Sequence, residues 1–192
     1  MSMQQTNHIL SDSTETIIRG CLAGDRASQA KLYHLFASKM MGVCMWYARN
    51  REEAEEILQD GFVRVFRYMN SYSRQGSFEG WVRSTMVSAA LSKYRNKSTR
   101  MWVVTEFNND VHDVSEQAGF ISKYDERELI KLVQQLPPAY RMVFNLYVFE
   151  GLKHREIAKA LQVSEGTSKS NLADARKILQ NAIKVKKKVA AS

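Results

Sequence analysis

Apolar residues recur at steps of three and four along almost the whole chain, and this spacing constrains the fold more than any other feature. Such spacing places apolar side chains on one face of an α-helix. The clearest example runs from residue 51 to 69, where the apolar positions are Ala54, Ile57, Leu58, Phe62, Val65 and Met69. No stretch alternates apolar and polar residues as a strand would, and prolines occur only at positions 137 and 138. The sequence therefore predicts an all-α fold.

The charged residues follow a basic, acidic, basic order along the chain. Residues 74–100 carry six Lys or Arg against one acid, residues 105–128 carry seven acids against two cations, and residues 152–192 carry ten cations against three acids. The acidic block also lacks helical spacing, which is typical of a linker. We therefore predict a helical domain in residues 1–97, a flexible linker in 98–123, a second helical domain in 124–184 and a disordered basic tail in 185–192.

The second predicted domain ends in two helices joined by a tight turn. The first spans residues 153–161, Val163 fills the turn, and Ser164 is a good N-cap for the second helix, which ends near Ile183. In a helix-turn-helix, the second helix enters the DNA major groove by its N-terminus. A helical hairpin of an unrelated bundle has the same pattern, but the excess of cations in this segment favours DNA binding.

Composition excludes several other classes of protein. The net charge of +8 over 192 residues indicates a polyanionic partner. No apolar run approaches the roughly 18 residues needed to span a bilayer, and residues 1–16 lack the apolar core of a signal peptide, so we expect a cytoplasmic protein without membrane insertion. Cys21 and Cys44 have no Cys-x-x-Cys spacing and the four histidines are scattered, so we expect no metal site, no cofactor and no enzymatic activity.

Four segments, in this order, resemble those of the extracytoplasmic-function (ECF) type of sigma factor, within the sigma-70 family of bacterial RNA polymerase subunits. They are residues 24–36, the acidic stretch 53–66, residues 76–82, and residues 136–144 together with the helix-turn-helix. The resemblance implies a non-catalytic initiation factor with two helical domains, sigma region 2 and sigma region 4. It also implies as partners the polymerase core, at its beta-prime clamp and beta flap, promoter DNA, and an anti-sigma factor.

The resemblance further assigns three sets of site residues. The polymerase-binding set is Glu56, Gln59, Asp60, Val63 and Arg64. The set for recognising and melting the minus-ten element is Tyr72, Ser73, Arg74, Ser77, Arg83, Ser88, Lys93, Arg95 and Lys97. The set for the minus-thirty-five element is Arg155, Gly166, Thr167, Lys169, Ser170, Asn171, Ala173, Asp174, Arg176 and Lys177.

Two aromatic residues near the predicted melting loop have alternative roles. Tyr72 either receives a flipped base of the non-template strand or seals the junction between two helices. Trp81 falls on the apolar face of its helix with Phe78, so we expect it in the core.

The chain departs from the family pattern at four positions. Ser168 and Gln162 stand where an apolar residue and Gly are frequent, and Asn171 and Ser88 stand where Arg and Asn are frequent. Because position 168 falls in an apolar stripe, the pattern predicts that Ser168→Val stabilises the second domain. The alternative function is a helix-turn-helix regulator that binds duplex DNA without polymerase. A nuclease or transposase would need clustered carboxylates for metal ions, and the acids here lie on a helix face or in the linker.

Overall fold

A computed structural model describes residues 14–95 and 126–190, with side chains as far as residue 185. No strand occurs within these two ranges, and the predicted all-α class is confirmed. The described helices are α1 (residues 14–22), α2 (Arg26–Tyr47), α3 (Arg51–Tyr68) followed by a 3₁₀ turn (Met69–Ser71), α4 (Phe78–Arg95), α5 (Glu126–Gln134), α6 (Pro138–Val148), α7 (His154–Leu161) and α8 (Glu165–Ala190).

The structure tests the predicted basic tail but not the predicted linker. The predicted linker and Lys97 lie outside the described residues. The predicted disordered tail is wrong for residues 185–190, because α8 continues to Ala190. The α8 helix contains no proline, and its only glycine is in the first turn, while lysine and alanine are good helix formers. The helix therefore has no local reason to stop near Ile183.

In the first domain α2, α3 and α4 pack against one another. Side-chain caps set the starts of two of these helices: Asp25 accepts from the Ser28 amide at 2.9 Å, and Asn50 accepts from the Glu53 amide at 3.0 Å. A Cβ added at Gly61 on α3 would overlap the Met86 side chain on α4, so glycine permits the close approach of these helices. The largest fully buried side chains of this core are Leu32, Met40, Ile57, Val65, Val82, Met86 and Val87.

In the second domain α6 and α7 both pack against α8. The buried stripe of α8 is Leu172, Ala175, Leu179 and Ile183, at the helical spacing expected from the sequence. The turn between α7 and α8 places Gln162 in the left-handed region, with φ 58° and ψ 44°. There its amide caps the end of α7 by donating to the carbonyls of Ala158 and Lys159.

The two domains pack directly against each other. Helix α2 of the first domain contacts α5 and α6 of the second, and α4 contacts α7. Their buried residues form one continuous cluster. The sequence left this relative placement open.

Candidate nucleic-acid interface

The first turns of α8 form a polar, exposed surface at the end of the second domain. Ser164 is the N-cap, as predicted: its hydroxyl accepts from the Thr167 amide at 3.0 Å and shares a hydrogen bond with the Thr167 hydroxyl at 2.9 Å. The amides of a first helical turn and the helix dipole favour anions at this end. Exposed members of the predicted minus-thirty-five set are Arg155, Gly166, Thr167, Lys169, Ser170, Ala173, Asp174 and Lys177, whereas Asn171 and Arg176 are half-buried.

Behind this surface, Ser168 is fully buried between α7 and α8. Its hydroxyl shares a 2.9 Å hydrogen bond with Nδ1 of His154, and the His154 ring stacks on Tyr147 with the centroids 5.0 Å apart. The serine that departs from the family pattern is therefore matched by a polar partner on α7. This pairing contradicts the reasoning that Ser168→Val stabilises the domain, since the hydroxyl is satisfied by the histidine.

The same cluster holds a cation of the predicted DNA-binding set. The guanidinium of Arg176 lies over the Tyr147 ring, 5.5 Å from its centroid. Burial, followed by the charges of Lys169 and Arg176, lowers the pKa of His154 below its ordinary value of 6.5. A neutral histidine next to Ser168 therefore prevails near neutral pH.

The acidic helix α3 presents most of the predicted polymerase-binding set to solvent. Glu56, Gln59 and Asp60 are exposed, and Val63 is an exposed apolar side chain at 55%. The prediction that Arg64 also lies on the outer face is wrong: only 7% of this residue is exposed, and its guanidinium donates to Ser92 on α4 at 3.2 Å. The long aliphatic stem allows arginine to cross an apolar contact before its charged end finds a partner.

The loop between α3 and α4 is internally braced. The Tyr72 hydroxyl donates to the Gly76 carbonyl at 2.8 Å, and its ring packs edge-on against Phe78 at 5.2 Å. Arg74 has a φ of 61° and pairs with Glu15 of α1 at 2.7 Å. The Ser77 hydroxyl accepts from the Gly80 amide at 3.1 Å, which caps α4. In this geometry Tyr72 occupies the junction of α3 and α4, the second of its two predicted roles.

Trp81 extends the aromatic contact between Tyr72 and Phe78, and polar residues lie nearby on the loop and on α4. Trp81 stacks on Phe78 at 5.6 Å and is half-buried, so the expectation that it lies in the core is only partly met. Ser73 is exposed, and Ser88 and Arg95 are half-buried on α4.

Like Arg74, which pairs with Glu15, two further cations of the predicted minus-ten set are engaged by acids of other elements. Lys93 pairs with Glu56 of α3, which joins a predicted DNA contact to a predicted polymerase contact. Arg83 pairs with Glu150, which follows α6 in the second domain. Sequence reasoning gave Glu150 no role, and no local signal distinguishes it from the other acids of the chain.

Neither a metal-binding cluster nor a membrane-spanning helix is found in the part of the chain that the structure describes. Among residues 14–95 and 126–190, no cluster of three or more His, Cys, Asp or Glu is arranged to hold a metal ion. Nor does any helix in these ranges combine the length and apolar character that crossing a membrane requires.

Comparisons with known proteins match both domains in order. Residues 32–100 match the family model described as Sigma-70 region 2, and residues 126–179 match Sigma-70, region 4. The RNA polymerase sigma-H factor of Pseudomonas aeruginosa is 22% identical over 90% of this chain and 94% of its own length. The ECF RNA polymerase sigma factor SigE of Mycolicibacterium smegmatis is 27% identical over 82% of this chain and 63% of its own length.

A search of solved structures finds, among others, CnrH in complex with the cytosolic domain of CnrY. The match covers 88% of this chain and 96% of that chain, with 14% identity and a TM-score of 0.45.

Proposed function

The chain belongs to the sigma-70 family as a sigma factor of the extracytoplasmic-function type, and from this premise we propose how its two domains divide the work of transcription initiation. The second domain reads the minus-thirty-five element through the start of α8. The first domain holds the polymerase through α3 and opens the minus-ten element with α4 and the loop before it. The observation that carries this proposal is that both sigma-70 regions match in order, each with an exposed polar surface at the expected helix.

Duplex reading is assigned to the exposed N-terminal turns of α8. Lys169 and Ser170 stand near the positive end of the helix dipole and are free of the protein core. A lysine at such a position hydrogen-bonds to a guanine edge or to a phosphate. Arg176, fixed over Tyr147, lies further along the helix, where a phosphate contact is the better fit.

Polymerase docking is assigned to the exposed ridge of α3. Val63 supplies exposed apolar area at the C-terminal end of the ridge, and Glu56, Gln59 and Asp60 supply polar contacts over the two turns before it. Charged rims contribute specificity and association rate more than affinity. Arg64 belongs to the support of this ridge, because it bonds to Ser92 on α4. Control by an anti-sigma factor, which the resemblance implies, belongs to the same proposal.

Strand opening is assigned to the braced loop and α4. The half-buried rings of Tyr72 and Trp81 pack on buried Phe78 and form an aromatic wall, and Ser73 and Ser77 are exposed in the adjoining loop. An unpaired base needs stacking area and edge hydrogen bonds when it leaves the duplex. The wall and the loop hydroxyls provide both kinds of contact without moving Tyr72 from the helix junction.

Reconstituted transcription tests the function as a whole. Core RNA polymerase with the purified chain should initiate at a limited set of genomic sites that share upstream elements, whereas core polymerase alone should not. Lys169→Ala should weaken binding to the shared minus-thirty-five element by about 1–3 kcal/mol if the lysine contacts a guanine edge. Lys184→Ala, exposed much further along α8, is the matched control. Equal losses on specific and random DNA would make Lys169 a phosphate contact.

Polymerase binding is tested separately by co-purification. Asp60→Arg combined with Val63→Glu should reduce recovery of the core subunits, because both side chains are exposed on α3. Glu128→Arg makes a comparable charge change at an exposed site on α5 and should leave recovery unchanged. Unchanged binding of the α3 double variant, with an unchanged circular dichroism spectrum, would refute the docking assignment.

A further inference from the structure

Side chains of the second domain cap the end of helix α2 in the first. The last carbonyls of an α-helix have no partner inside the helix. The Gln134 amide donates to the carbonyl of Met45 at 3.1 Å, and the Asn145 amide donates to that of Trp46 at 2.6 Å. Asn145 is completely buried. The contact between the domains is therefore made of specific hydrogen bonds and not only of apolar surface.

An ion pair with a buried carboxylate and a partly exposed guanidinium lies beside these caps. The Glu150 side chain is only 4% exposed, and both of its oxygens accept from the Arg83 guanidinium, one of them at 2.8 Å. The Tyr47 hydroxyl also donates to Glu150, at 2.6 Å. Burial and then the charge of Glu150 raise the pKa of Tyr47 well above its ordinary value, which keeps it a neutral donor. Among the described residues, both side-chain partners of the Glu150 carboxylate, Arg83 and Tyr47, thus belong to the first domain.

An aromatic stack and a cleft complete the interface. Trp46 stacks on Phe149 with the ring centroids 4.4 Å apart. Next to this stack a cleft of about 180 Å³ remains between the domains, lined in part by Lys39, Trp46 and Arg83. Interfaces between domains of one chain generally resemble those of transient protein complexes.

We propose that the free chain adopts a closed form in which Glu150 docks the second domain on Arg83 and Tyr47, and that this form withholds Arg83 from promoter DNA. The inference rests on the proposed function for the part that concerns DNA. A guanidinium that donates to both oxygens of Glu150 cannot at the same time neutralise a phosphate in the same geometry. Helix α7 of the helix-turn-helix also lies against α4 in the closed form. Binding of α4 to DNA and docking of Glu150 are therefore competing states of one chain.

Removal of Glu150 should favour the open form without touching the DNA-binding residues. The Arg83 side chain is 32% exposed, so its charge can be solvated once the carboxylate of Glu150 is gone. In Glu150→Gln the shape is kept but Arg83 has no counter-charge, so the first domain releases the second. If the closed form holds about nine tenths of the molecules, release raises the apparent affinity for a ligand of the open form about tenfold.

The distance between the domains tests the closed form directly. Spin labels at exposed Arg67 on α3 and exposed Gln180 on α8, attached through unnatural amino acids, leave Cys21 and Cys44 unchanged. The full chain alone should give one narrow distance distribution. Glu150→Arg should give a broad distribution with longer distances. A broad distribution for the parent chain, or the same narrow one for Glu150→Arg, would overturn the proposal.

Exchanging the two charges distinguishes loss of the ion pair from general damage to the fold. Arg83→Glu alone and Glu150→Arg alone should each open the chain, whereas the double variant Arg83→Glu with Glu150→Arg should restore the narrow distribution. Glu128→Gln, an exposed acid on α5, is the control and should remain closed. Failure of the double variant to close, while each single variant remains folded by circular dichroism, would contradict the assigned pairing.

DNA binding tests the consequence. Fluorescence anisotropy with a single-stranded minus-ten oligonucleotide should show tighter binding by Glu150→Gln than by the parent chain, about tenfold under the population given above. A merely structural role for Glu150 predicts weaker or unchanged binding, and that result would overturn the autoinhibitory part. A different result would refute the proposed function. In that case the parent chain would keep its narrow distance distribution but would not direct polymerase to specific start sites.

Discussion

The buried pair of Ser168 and His154 allows a stability prediction with a calculable sign. In Ser168→Val the hydroxyl is replaced by a methyl group and a further carbon is added, which contributes about 0.8 kcal/mol for each buried group. Against this, the change leaves Nδ1 of His154 without its partner at 2.9 Å, which costs about 1–3 kcal/mol when the group is desolvated. Position 168 is fully buried, so the larger side chain also meets filled space, at a cost of about 1–3 kcal/mol. With a gain of about 1.6 and a cost of about 2–6 kcal/mol, we expect a net loss of about 2 kcal/mol.

The measurement must report on the second domain alone. Hydrogen exchange of the α7 and α8 amides in the full chain does so, with the free energy of opening compared between variants. His154→Phe retains the ring that stacks on Tyr147 and removes the hydrogen bond. In a double-mutant cycle, Ser168→Val and His154→Phe together should cost less than the sum of the two single changes, by about 1 kcal/mol.

A matched control separates the buried bond from helix propensity. Ser170→Val places the same β-branched residue on the same helix at an exposed position, and should cost only a few tenths of a kcal/mol, as expected for a surface substitution. If Ser168→Val raises the opening free energy, or if the cycle shows no coupling, the hydrogen bond to His154 contributes nothing and the apolar argument for position 168 is correct after all.

Three other outcomes follow from the described geometry. Gln162→Gly should raise the melting temperature, because relief of a left-handed conformation at φ 58° is worth about 1 kcal/mol. Arg64→Ala should lower the urea midpoint since Arg64 is buried, whereas Asp60→Arg should leave it unchanged. Burial, then nearby cations, lower the pKa of His154, so the unfolded chain takes up this proton first. Stability should therefore fall as the pH drops below about 6.5, and a pH series on His154→Phe should show a smaller slope.

The sequence predicts the helices well because their signals are local. Apolar spacing places the stripe Leu172, Ala175 and Leu179 correctly, and these side chains are buried on α8 as expected. The serine before that helix also caps it as predicted, with Ser164 accepting from the Thr167 amide. Both signals depend on residues within one or two turns, so no knowledge of the rest of the fold is needed.

The errors concern side chains whose partners lie on other helices. Because Arg64 is charged, the sequence pattern predicts it on the outer face, but its partner Ser92 is on α4 and its stem is buried. The sequence pattern predicts Ser168 to be an unsatisfied polar group, because nothing in the sequence shows that His154 faces it from α7. In both positions the prediction depends on which helices pack together, and a single sequence leaves that open.

The ion pairs of the predicted minus-ten surface differ in strength, and this difference decides which one controls the state of the free chain. The Glu56 side chain of the Lys93–Glu56 pair is 64% exposed, and exposed pairs contribute about 0–1 kcal/mol. A polymerase contact that occupies Glu56 would release Lys93 at little cost. The Glu150 side chain is 4% exposed in its pair with Arg83, and a carboxylate so buried needs its partner. Docking of the polymerase can therefore free Lys93 from Glu56. Release of Arg83 from Glu150 requires separation of the two domains.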